Sequence, residues 1–307
     1  LFLIYYKLSL KGDPLERLEK VVDFECFRPT LNRIFKYDLK NKSHGGRPPY
    51  DLVLMLKILI LQRLYNLSDD AMEYQMIDRI SFRRFLKIDD KVPDAKTIWN
   101  FRNQLSKSNR GNWLFSAFQE KLESQGMIAH KGQIVDATFI EAPKQRNPKD
   151  ENELIKANRV PVNWTKNKRA QKDTAARWTI KGNERHYGYK NHIAIDTKSK
   201  FVKNYQTTPA NVHDSQVIGV LVDPDEITLA DSAYQNQATP KGAELFTYLK
   251  NTRCKSLKAD DKMFNKIISK IRVRIEHVFG FVENSMHGSS LRSIGFDRAV
   301  FLLTLQI

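Results

Sequence analysis

The stretch that decides the fold is Gln133-Ile-Val-Asp-Ala-Thr-Phe-Ile140, a short run rich in apolar and β-branched residues that follows Gly132. A run of this length and composition predicts a buried β-strand. Asp136 lies inside the run. A carboxylate in a buried strand is costly in free energy unless it is paired or binds a metal ion. The strand therefore predicts both the start of an α/β domain and a candidate site.

The residues that follow continue the α/β pattern. They first predict a hairpin, with strands over 187–196 and 201–208 on either side of Thr197-Lys-Ser-Lys200. A helix from Asp214 to Val222 and a strand over 226–231 follow. The last predicted elements are a short helix from Lys241 to Leu249 and a long helix from Lys262 to about Glu283. This order of elements indicates a mixed sheet with flanking helices. We assign residues 129–307 to this α/β domain.

Residues 1–128 predict a small all-α domain that precedes the sheet. Helix starts are indicated by residues of N-cap type at Asp13, Asp51, Ser68, and either Asp94 or Thr97. The most apolar segment, residues 52–61, is interrupted by Lys57 and has about half of the roughly 20 residues that a bilayer span needs. It predicts a buried helix and not a membrane anchor. A bundle of this kind can place a helix in the DNA major groove, but no recognition helix can be identified.

The charge of the chain indicates a polyanionic partner. Its 307 residues include 51 Lys and Arg against 35 Asp and Glu, a net charge of +16. With no membrane segment predicted, nucleic acid is the expected partner. The two cysteines, Cys26 and Cys254, are too few for a disulfide framework or a thiolate metal site, so a reducing cytoplasm is the expected compartment.

Half of the net charge lies between Lys144 and Lys190, a segment that includes a basic insertion at about residues 144–185. From Lys144 to Lys190 there are 13 Lys and Arg against 5 Asp and Glu. Two interpretations stay open for it: a solvated, partly disordered loop, or a surface that contacts nucleic acid. The second has Trp164 and Trp178 stacking on bases, at about 1–3 kcal/mol each, while Lys168, Arg169 and their neighbours hold phosphates.

Two further acids join Asp136 as candidates. Asp231 ends the apolar run Ile227-Thr-Leu-Ala, and acids at two strand ends of one sheet predict a site at the sheet edge. Glu276 lies in the long helix, beside its apolar stripe. A surface ion pair with Arg272, four residues earlier, is the alternative role for this glutamate.

Five segments carry a resemblance to a known family. In order they are Ile-Val-Asp136-Ala-Thr-Phe, His-Tyr-Gly-Tyr-Lys-Asn-His192, Ala-Asn-Val-His213-Asp-Ser, Ala-Asp231-Ser-Ala-Tyr234 and Arg-Val-Arg-Ile-Glu276-His-Val-Phe-Gly. They resemble the motifs of DDE transposases, and the group that they resemble most is the insertion sequence five family of bacteria. Gly45-Gly-Arg-Pro-Pro-Tyr50 and Val92-Pro-Asp-Ala-Lys-Thr-Ile-Trp99 resemble the N-terminal domain of that family.

The resemblance implies an RNase H-like domain in which Asp136, Asp231 and Glu276 are catalytic. It implies that these acids hold two Mg²⁺ ions about 3.5–4 Å apart, with Mn²⁺ as a substitute. The implied reaction is cleavage of DNA at the terminal inverted repeats of an insertion sequence, followed by strand transfer into target DNA. The implied assembly is a homodimer on double-stranded DNA, associated with the bacterial nucleoid.

The resemblance also implies roles for residues near the three acids. Arg272 matches an arginine that could clamp a phosphate, with a helix ion pair as the alternative. Lys190 and His192 match a motif near the site, which implies DNA binding by Lys190, although strand packing explains both residues almost as well. His213 could line the site, but the interpretation that we favour there is capping of the next helix by Asp214.

Some features depart from the family pattern. Ser269 and Glu283 stand where the family's helix signature has tyrosine and lysine, and only 45 positions separate Asp231 from Glu276. These departures and the ends of the sequence lead us to expect a trimmed or decaying copy that keeps the fold. Two alternative functions stay open: a nuclease of the same fold without strand transfer, and a non-catalytic DNA-binding remnant.

Overall fold

The computed structural model describes residues 2–36, 48–89, 91–235, 237–251 and 256–307. Gly45, Gly46 and Arg47 of the N-terminal motif, and Cys254, lie outside these ranges. The chain divides into two compact units, Leu1–Lys121 with Val300–Gln306 and Leu122–Ala299 with Ile307.

The first unit is helical, as the sequence predicts. Its helices are α1 (Phe2–Leu10), α2 (Pro14–Val21), α3 (Arg28–Phe35), α4 (Leu52–Leu64), α5 (Asp69–Asp78), α6 (Ile80–Leu86), α7 (Ala95–Leu105) and most of α8 (Arg110–Ser124). Side chains of the predicted cap residues accept hydrogen bonds from backbone N–H groups at the starts of α2, α4 and α5. At α7 the cap is Asp94, which accepts from the N–H of Thr97 at 2.6 Å.

Helix α4 forms the centre of the first unit's core. Ile58 and Leu61 are fully buried, which confirms the prediction of a buried helix. Lys57 is accommodated because its ammonium group donates to the carbonyl oxygen of Phe85 and lies 4.1 Å from the centre of that residue's ring. Within the described ranges, no helix combines the length and the apolar character that a bilayer crossing requires.

The second unit contains a six-stranded mixed sheet. Its strands are β1 (Gln133–Glu141), β2 (Arg177–Lys181), β3 (Glu184–Asp196), β4 (Val202–Pro209), β5 (Ile227–Ala230) and β6 (Glu244–Thr247). The strand order is β2-β3-β1-β5-β6, and β4 pairs with β3. Strand β3 is antiparallel to β1, β2 and β4, whereas β5 is parallel to β1 and β6. The predicted strand and hairpin are confirmed.

The helices of this unit are α9 (Lys149–Lys156), α10 (Lys166–Ala170), α11 (Ile218–Leu221), α12 (Ala259–Gly280) and the start of α13 (Phe296–Thr304). Short 3-10 turns cover Asp214–Val217 and Ser232–Tyr234. Helix α12 packs on β1 and β5, and α11 packs on β3 and β4. This mixed sheet with flanking helices is consistent with the expected RNase H-like fold.

Two expectations about secondary structure need correction. The helix predicted from Lys241 to Leu249 is wrong, because residues 244–247 form β6. Gly242 has a φ of +81°, a left-handed conformation that a right-handed helix excludes, and Leu245 packs into the sheet's core. The basic insertion is not a structureless loop, since it contains α9, α10, β2 and the start of β3.

Candidate active site

The register of the sheet brings Asp136 and Asp231 together. Strands β1 and β5 are parallel, with Gln133 opposite Thr228 and Ile134 opposite Leu229. Continuing this register by two residues places Asp136 opposite Asp231, on one face of the sheet. Neighbouring parallel strands lie about 4.8 Å apart, so the two carboxylates share one small region.

Asp136 is held by one backbone and one side-chain donor. The N–H of Ala137 donates to its Oδ1 at 2.8 Å, and the guanidinium of Arg272 donates to its Oδ2 at 2.6 Å. Burial raises the pKa of Asp136 above its ordinary value, Arg272 opposes this shift, and the charge of Asp231 adds to it. The positive charge of Arg272 therefore does not fully offset the cost of burying the ionised Asp136 carboxylate.

Asp231 caps the 3-10 turn that follows β5. Its Oδ1 accepts hydrogen bonds from the backbone N–H and the hydroxyl of Ser232, at 2.6 and 3.1 Å. The end of the strand and the start of the turn therefore fix this carboxylate in place. Asp231 therefore lies at the end of a strand, as the sequence predicts.

Arg272 does not form the helix ion pair that was one of its two expected roles, and its expected contact with a DNA phosphate stays a prediction. It lies on the buried side of α12 and pairs with Asp136 across the sheet, not with Glu276 on its own helix. Its guanidinium carbon lies 5.0 Å from the centre of the Tyr248 ring, and its Nε has no hydrogen-bond partner. Arg272 thus supplies most of the positive charge near Asp136, and Lys181 adds a smaller contribution.

Glu276 is exposed, one helical turn beyond Arg272. Among the described residues there is no group of three or more His, Cys, Asp or Glu side chains close enough to hold a metal ion. The structure therefore brings together Asp136, Asp231 and Arg272, and it does not bring Glu276 into the same cluster.

A second polar cluster lies on β3 and the turn after β4. Lys190 is buried, and its Nζ donates at 2.8 Å to both the carbonyl oxygen of Val212 and Oδ1 of Asp214. His192 is fully buried against Thr208, and burial lowers its pKa to about 4, so this imidazole is neutral at physiological pH.

The expected capping role of Asp214 is wrong. His213 caps the turn, since its Nδ1 accepts from the N–H of Ser215 at 3.3 Å, and Asp214 is drawn to the lysine charge. No role was predicted for Tyr234, a buried residue that follows Asp231 by three positions. Its position three residues after a strand-end acid was the available signal.

The residues singled out in the insertion fall into two groups. Trp164 is only 8% exposed, and Lys168 lies 5.3 Å from the centre of its ring while pairing with Glu151 at 2.5 Å. Trp178, on β2, is 54% exposed, and Arg169 is exposed as well. Trp164 and Lys168 thus pack within the insertion, whereas Trp178 and Arg169 face solvent.

Comparison with known protein families gives two matches. The family described as the transposase DDE domain matches residues 129–307. The family described as a transposase domain (DUF772) matches residues 3–104. These matches do not specify a group within the transposases, so assignment to the insertion sequence five family stays a prediction. No solved structure matches the chain.

Proposed function

Because the chain belongs to the transposase DDE-domain family, a family that acts on DNA with divalent metal ions, we propose that it cleaves the ends of its own mobile element and joins them to target DNA at the Asp136–Asp231 site. The observation that carries this proposal is the register that places the two aspartates side by side on β1 and β5. The N-terminal match to a second transposase domain supports the same activity for the whole chain.

The two aspartates fit a hard divalent cation. Both offer carboxylate oxygens, the ligands that Mg²⁺ and Mn²⁺ prefer. Burial and the neighbouring acid raise the pKa of Asp136, so added positive charge there stabilises the ionised form. Asp136 and Asp231 would hold the ion, which in such sites activates an attacking water or 3′-hydroxyl and stabilises the leaving oxygen. Two ions, with Mg²⁺ as the natural metal, are our finer proposal.

Glu276 is proposed as the third acid of the loaded site. It lies one turn from Arg272 on the helix that packs against β1, so it belongs to the element nearest the aspartates. A second ion requires more oxygen ligands than two aspartates provide. Glu276 therefore contributes only once DNA and metal are bound.

The positive residues near the site have distinct proposed roles. Arg272 holds Asp136 in place and is near enough to the site to meet a DNA phosphate. Lys190 is buried and already donates to Val212 and Asp214, so it orients the acid beside the site and does not grip DNA.

For the basic insertion we propose DNA contact through its exposed members. Trp178 presents an aromatic face to solvent and Arg169 an exposed guanidinium, which suit a base or sugar and a phosphate respectively. Trp164 and Lys168 support this surface from within the insertion. Two DNA ends must meet for strand transfer, so we also propose a homodimer on DNA, acting at the nucleoid.

The decisive experiment uses DNA that carries the coding sequence of this chain together with its flanking inverted repeats. Purified protein is incubated with the labelled DNA and Mg²⁺ or Mn²⁺, and nicked and joined products are separated by electrophoresis. Nicking followed by joining supports a transposase. Nicking without joining indicates a nuclease, and binding without either indicates a DNA-binding remnant.

The proposed roles in the insertion are tested by two tryptophan variants. Trp178→Ala lowers stability only by about 0.5–1.5 kcal/mol, through the lost ring contact with Tyr187, and weakens DNA binding by about 1–3 kcal/mol. Trp164→Ala removes a buried ring and lowers stability by about 3–5 kcal/mol. Equal DNA affinity for Trp178→Ala and the wild type, measured by fluorescence anisotropy over a salt series, contradicts the proposed contact.

A further inference from the structure

Helix α7 of the first unit divides into a buried face and an exposed polar face. The buried face consists of Ile98, Phe101 and Leu105, which belong to the core of this unit. Arg102 fastens the helix to α5, because its guanidinium donates to both carboxylate oxygens of Asp69, at 2.5 and 2.7 Å. The opposite face is exposed and bears Lys96, Trp99, Asn100 and Gln104, at the spacing of three and four residues that places side chains on one side of a helix. The helix is thus held firmly, with a polar face open to a partner.

The segment that contains α7 is basic. From Lys91 to Arg110 the chain has five Lys and Arg residues against one acid, Asp94, which gives a net charge of +4. The two acids at the start of the helix, Asp94 and Glu73, accept hydrogen bonds from the backbone N–H groups of Thr97 and Ala95, at 2.6 and 2.7 Å. Helix α7 itself contains no acid. Its exposed face therefore combines positive charge with hydrogen-bonding amides, which suits a polyanion.

Most of the other described helices of the first unit present a different surface. Helix α4 is buried along most of its length, and α1 exposes apolar side chains. Helix α5 exposes Asp70 and Asp78, and α8 exposes Glu120, so these helices repel phosphates. On α6, Arg84 pairs with Glu16 of α2 at 3.2 Å. None of these faces matches the positive and amide-rich character of α7.

Helix α3 is the alternative, because it is basic as well. Its Arg28 is paired with Glu25 and Asp51, at 2.5 and 2.6 Å. The guanidinium of Arg33 lies 4.5 Å from the centre of the Trp113 ring. Both arginines thus have contacts within the protein, and Arg28 lies between two acids. We therefore favour α7 over α3 as a surface for DNA.

We propose that α7 is the helix that reads DNA sequence, lying in the major groove of the terminal repeat. The proposal rests on the proposed function, since that function makes the terminal repeat the DNA to be recognised. A major groove about 12 Å wide admits one α-helix. The amides of Asn100 and Gln104 suit adenine, whose edge accepts and donates one hydrogen bond each, and Lys96 suits a guanine edge or a phosphate.

The test compares the binding of two DNA duplexes by the full chain. One duplex carries the inverted repeat that flanks the coding sequence of this chain, and the other has the same length and base composition in scrambled order. Binding is measured by fluorescence anisotropy in EDTA, so the result depends neither on a metal ion nor on cleavage. The wild type should bind the repeat more tightly than the scrambled duplex.

Asn100→Ala should bind the repeat roughly 10-fold or more weakly than the wild type, and the scrambled duplex equally well, because a contact to a base edge carries sequence information. When each base pair of the repeat is replaced in turn, the variant should have lost the wild-type preference for A·T at one position. Gln104→Ala should lose the preference at a different position. Because both side chains are exposed, denaturant unfolding should be the same for these variants and the wild type.

Asn32→Ala is the matched control, because it removes the same side chain from the alternative helix α3. This variant should bind both duplexes like the wild type. Weaker binding of the repeat by Asn32→Ala, with wild-type binding by Asn100→Ala, would assign the reading of DNA to α3 and overturn the inference.

The outcomes are distinguishable from those of the proposed function. If the wild type prefers the repeat and both Asn100→Ala and Gln104→Ala keep that preference, α7 does not read DNA, and the proposed function stands. A wild type that binds both duplexes equally also overturns this inference. Nicking and joining in the presence of metal decide the proposed function separately in either case.

Discussion

The acids borne by the sheet and the acid borne by the helix differ in how the fold fixes them. Asp136 and Asp231 are placed by the parallel register of β1 and β5 and held by hydrogen bonds of 2.6–2.8 Å. Glu276 is exposed on α12 and takes no part in that network. Under the proposed function, the sheet holds two acids of the site together in the free protein, and the acid on the helix joins them on binding.

The reason lies in the geometry of α12. Its buried residues are Ile268, Arg272 and Ile275, and these form the stripe that faces the sheet. Glu276 follows Ile275 by one residue, a rotation of about 100° away from that stripe. The arginine consequently occupies the buried position next to Asp136, and its positive charge stabilises the carboxylate in the free protein.

Asp136→Asn is expected to have the largest effect, because it acts on the prepared half of the site. The amide keeps the shape of the side chain but loses the charge that holds a cation, so the rate of plasmid nicking in Mn²⁺ should fall by about 10³-fold or more, comparable to the loss of about 4 kcal/mol of transition-state stabilisation. Denaturant unfolding gives the fraction of each variant that is folded, and nicking rates are compared per folded molecule.

Asp260→Asn is the matched control for this change. Asp260 is an exposed acid in the first turn of α12, so its variant loses the same charge without touching the site. Equal rates for Asp136→Asn and the wild type would place the reaction elsewhere in the molecule.

Glu276→Gln tests the half of the site that is completed on binding. Since the glutamate is exposed in the free protein, the free energy of unfolding should change by less than about 0.5 kcal/mol. The nicking rate should still fall, by about 100-fold, because the third carboxylate is missing in the loaded site. Wild-type nicking by this variant would show that the two sheet aspartates suffice and that the comparison between sheet and helix has no functional meaning.

The positions of the sheet acids could be predicted from sequence because they depend on strand identity alone. The run 133–140 and the run ending at Asp231 are apolar enough to be recognised as buried strands. Asp136 lies inside the first run and Asp231 ends the second. The helix predicted over 241–249 was wrong because four residues, 244–247, gain their strand conformation from pairing with β5. Such pairing over a long sequence separation leaves little local signal.

The partners of the charged residues could not be predicted. The spacing of Arg272 and Glu276 favours a helix ion pair, but burial of Asp136 creates a stronger demand for the same arginine. Likewise, composition identified both tryptophans of the insertion but not that Trp164 is buried and Trp178 exposed. These contacts depend on tertiary packing, which a single sequence does not specify.

Arg272→Gln removes the charged side chain through which the helix α12 stabilises Asp136 on the sheet. Asp136 is left without its charged partner, and because this carboxylate is only partly buried we expect a loss of about 2 kcal/mol, below the 3–5 kcal/mol typical of fully buried pairs. Added Mn²⁺ should raise the free energy of unfolding of the variant by more than it raises that of the wild type. Denaturant unfolding with and without Mn²⁺ measures both effects.

The pH dependence of this loss follows from the pKa of Asp136, which burial already raises and which rises further without the arginine. The loss is therefore present above the raised pKa and diminishes as the pH falls through it, because the carboxyl then becomes neutral. Lys270→Gln, an exposed charge change on the same helix, serves as control. A loss of stability that Mn²⁺ does not recover would indicate a purely structural arginine.

His130→Gln should have the smallest effect, because it concerns exposed charges at the other ends of the same strands. The imidazole lies just before β1 and contacts Glu123 at 2.8 Å and Glu226, just before β5, at 3.2 Å. These hydrogen bonds raise the pKa of His130, so its contribution to stability is complete below the unfolded value of about 6.5 and is lost as the pH rises through the folded value. With the group half exposed, the contribution is at most about 0.5 kcal/mol.

Unfolding curves at pH 5.5 and 8.5 should thus differ between variant and wild type only at the lower pH, and plasmid nicking should be unchanged. A large loss of nicking would mean that the starts of β1 and β5 determine the site as strongly as their ends, which would remove the distinction between charges fixed by the sheet interior and charges at its surface.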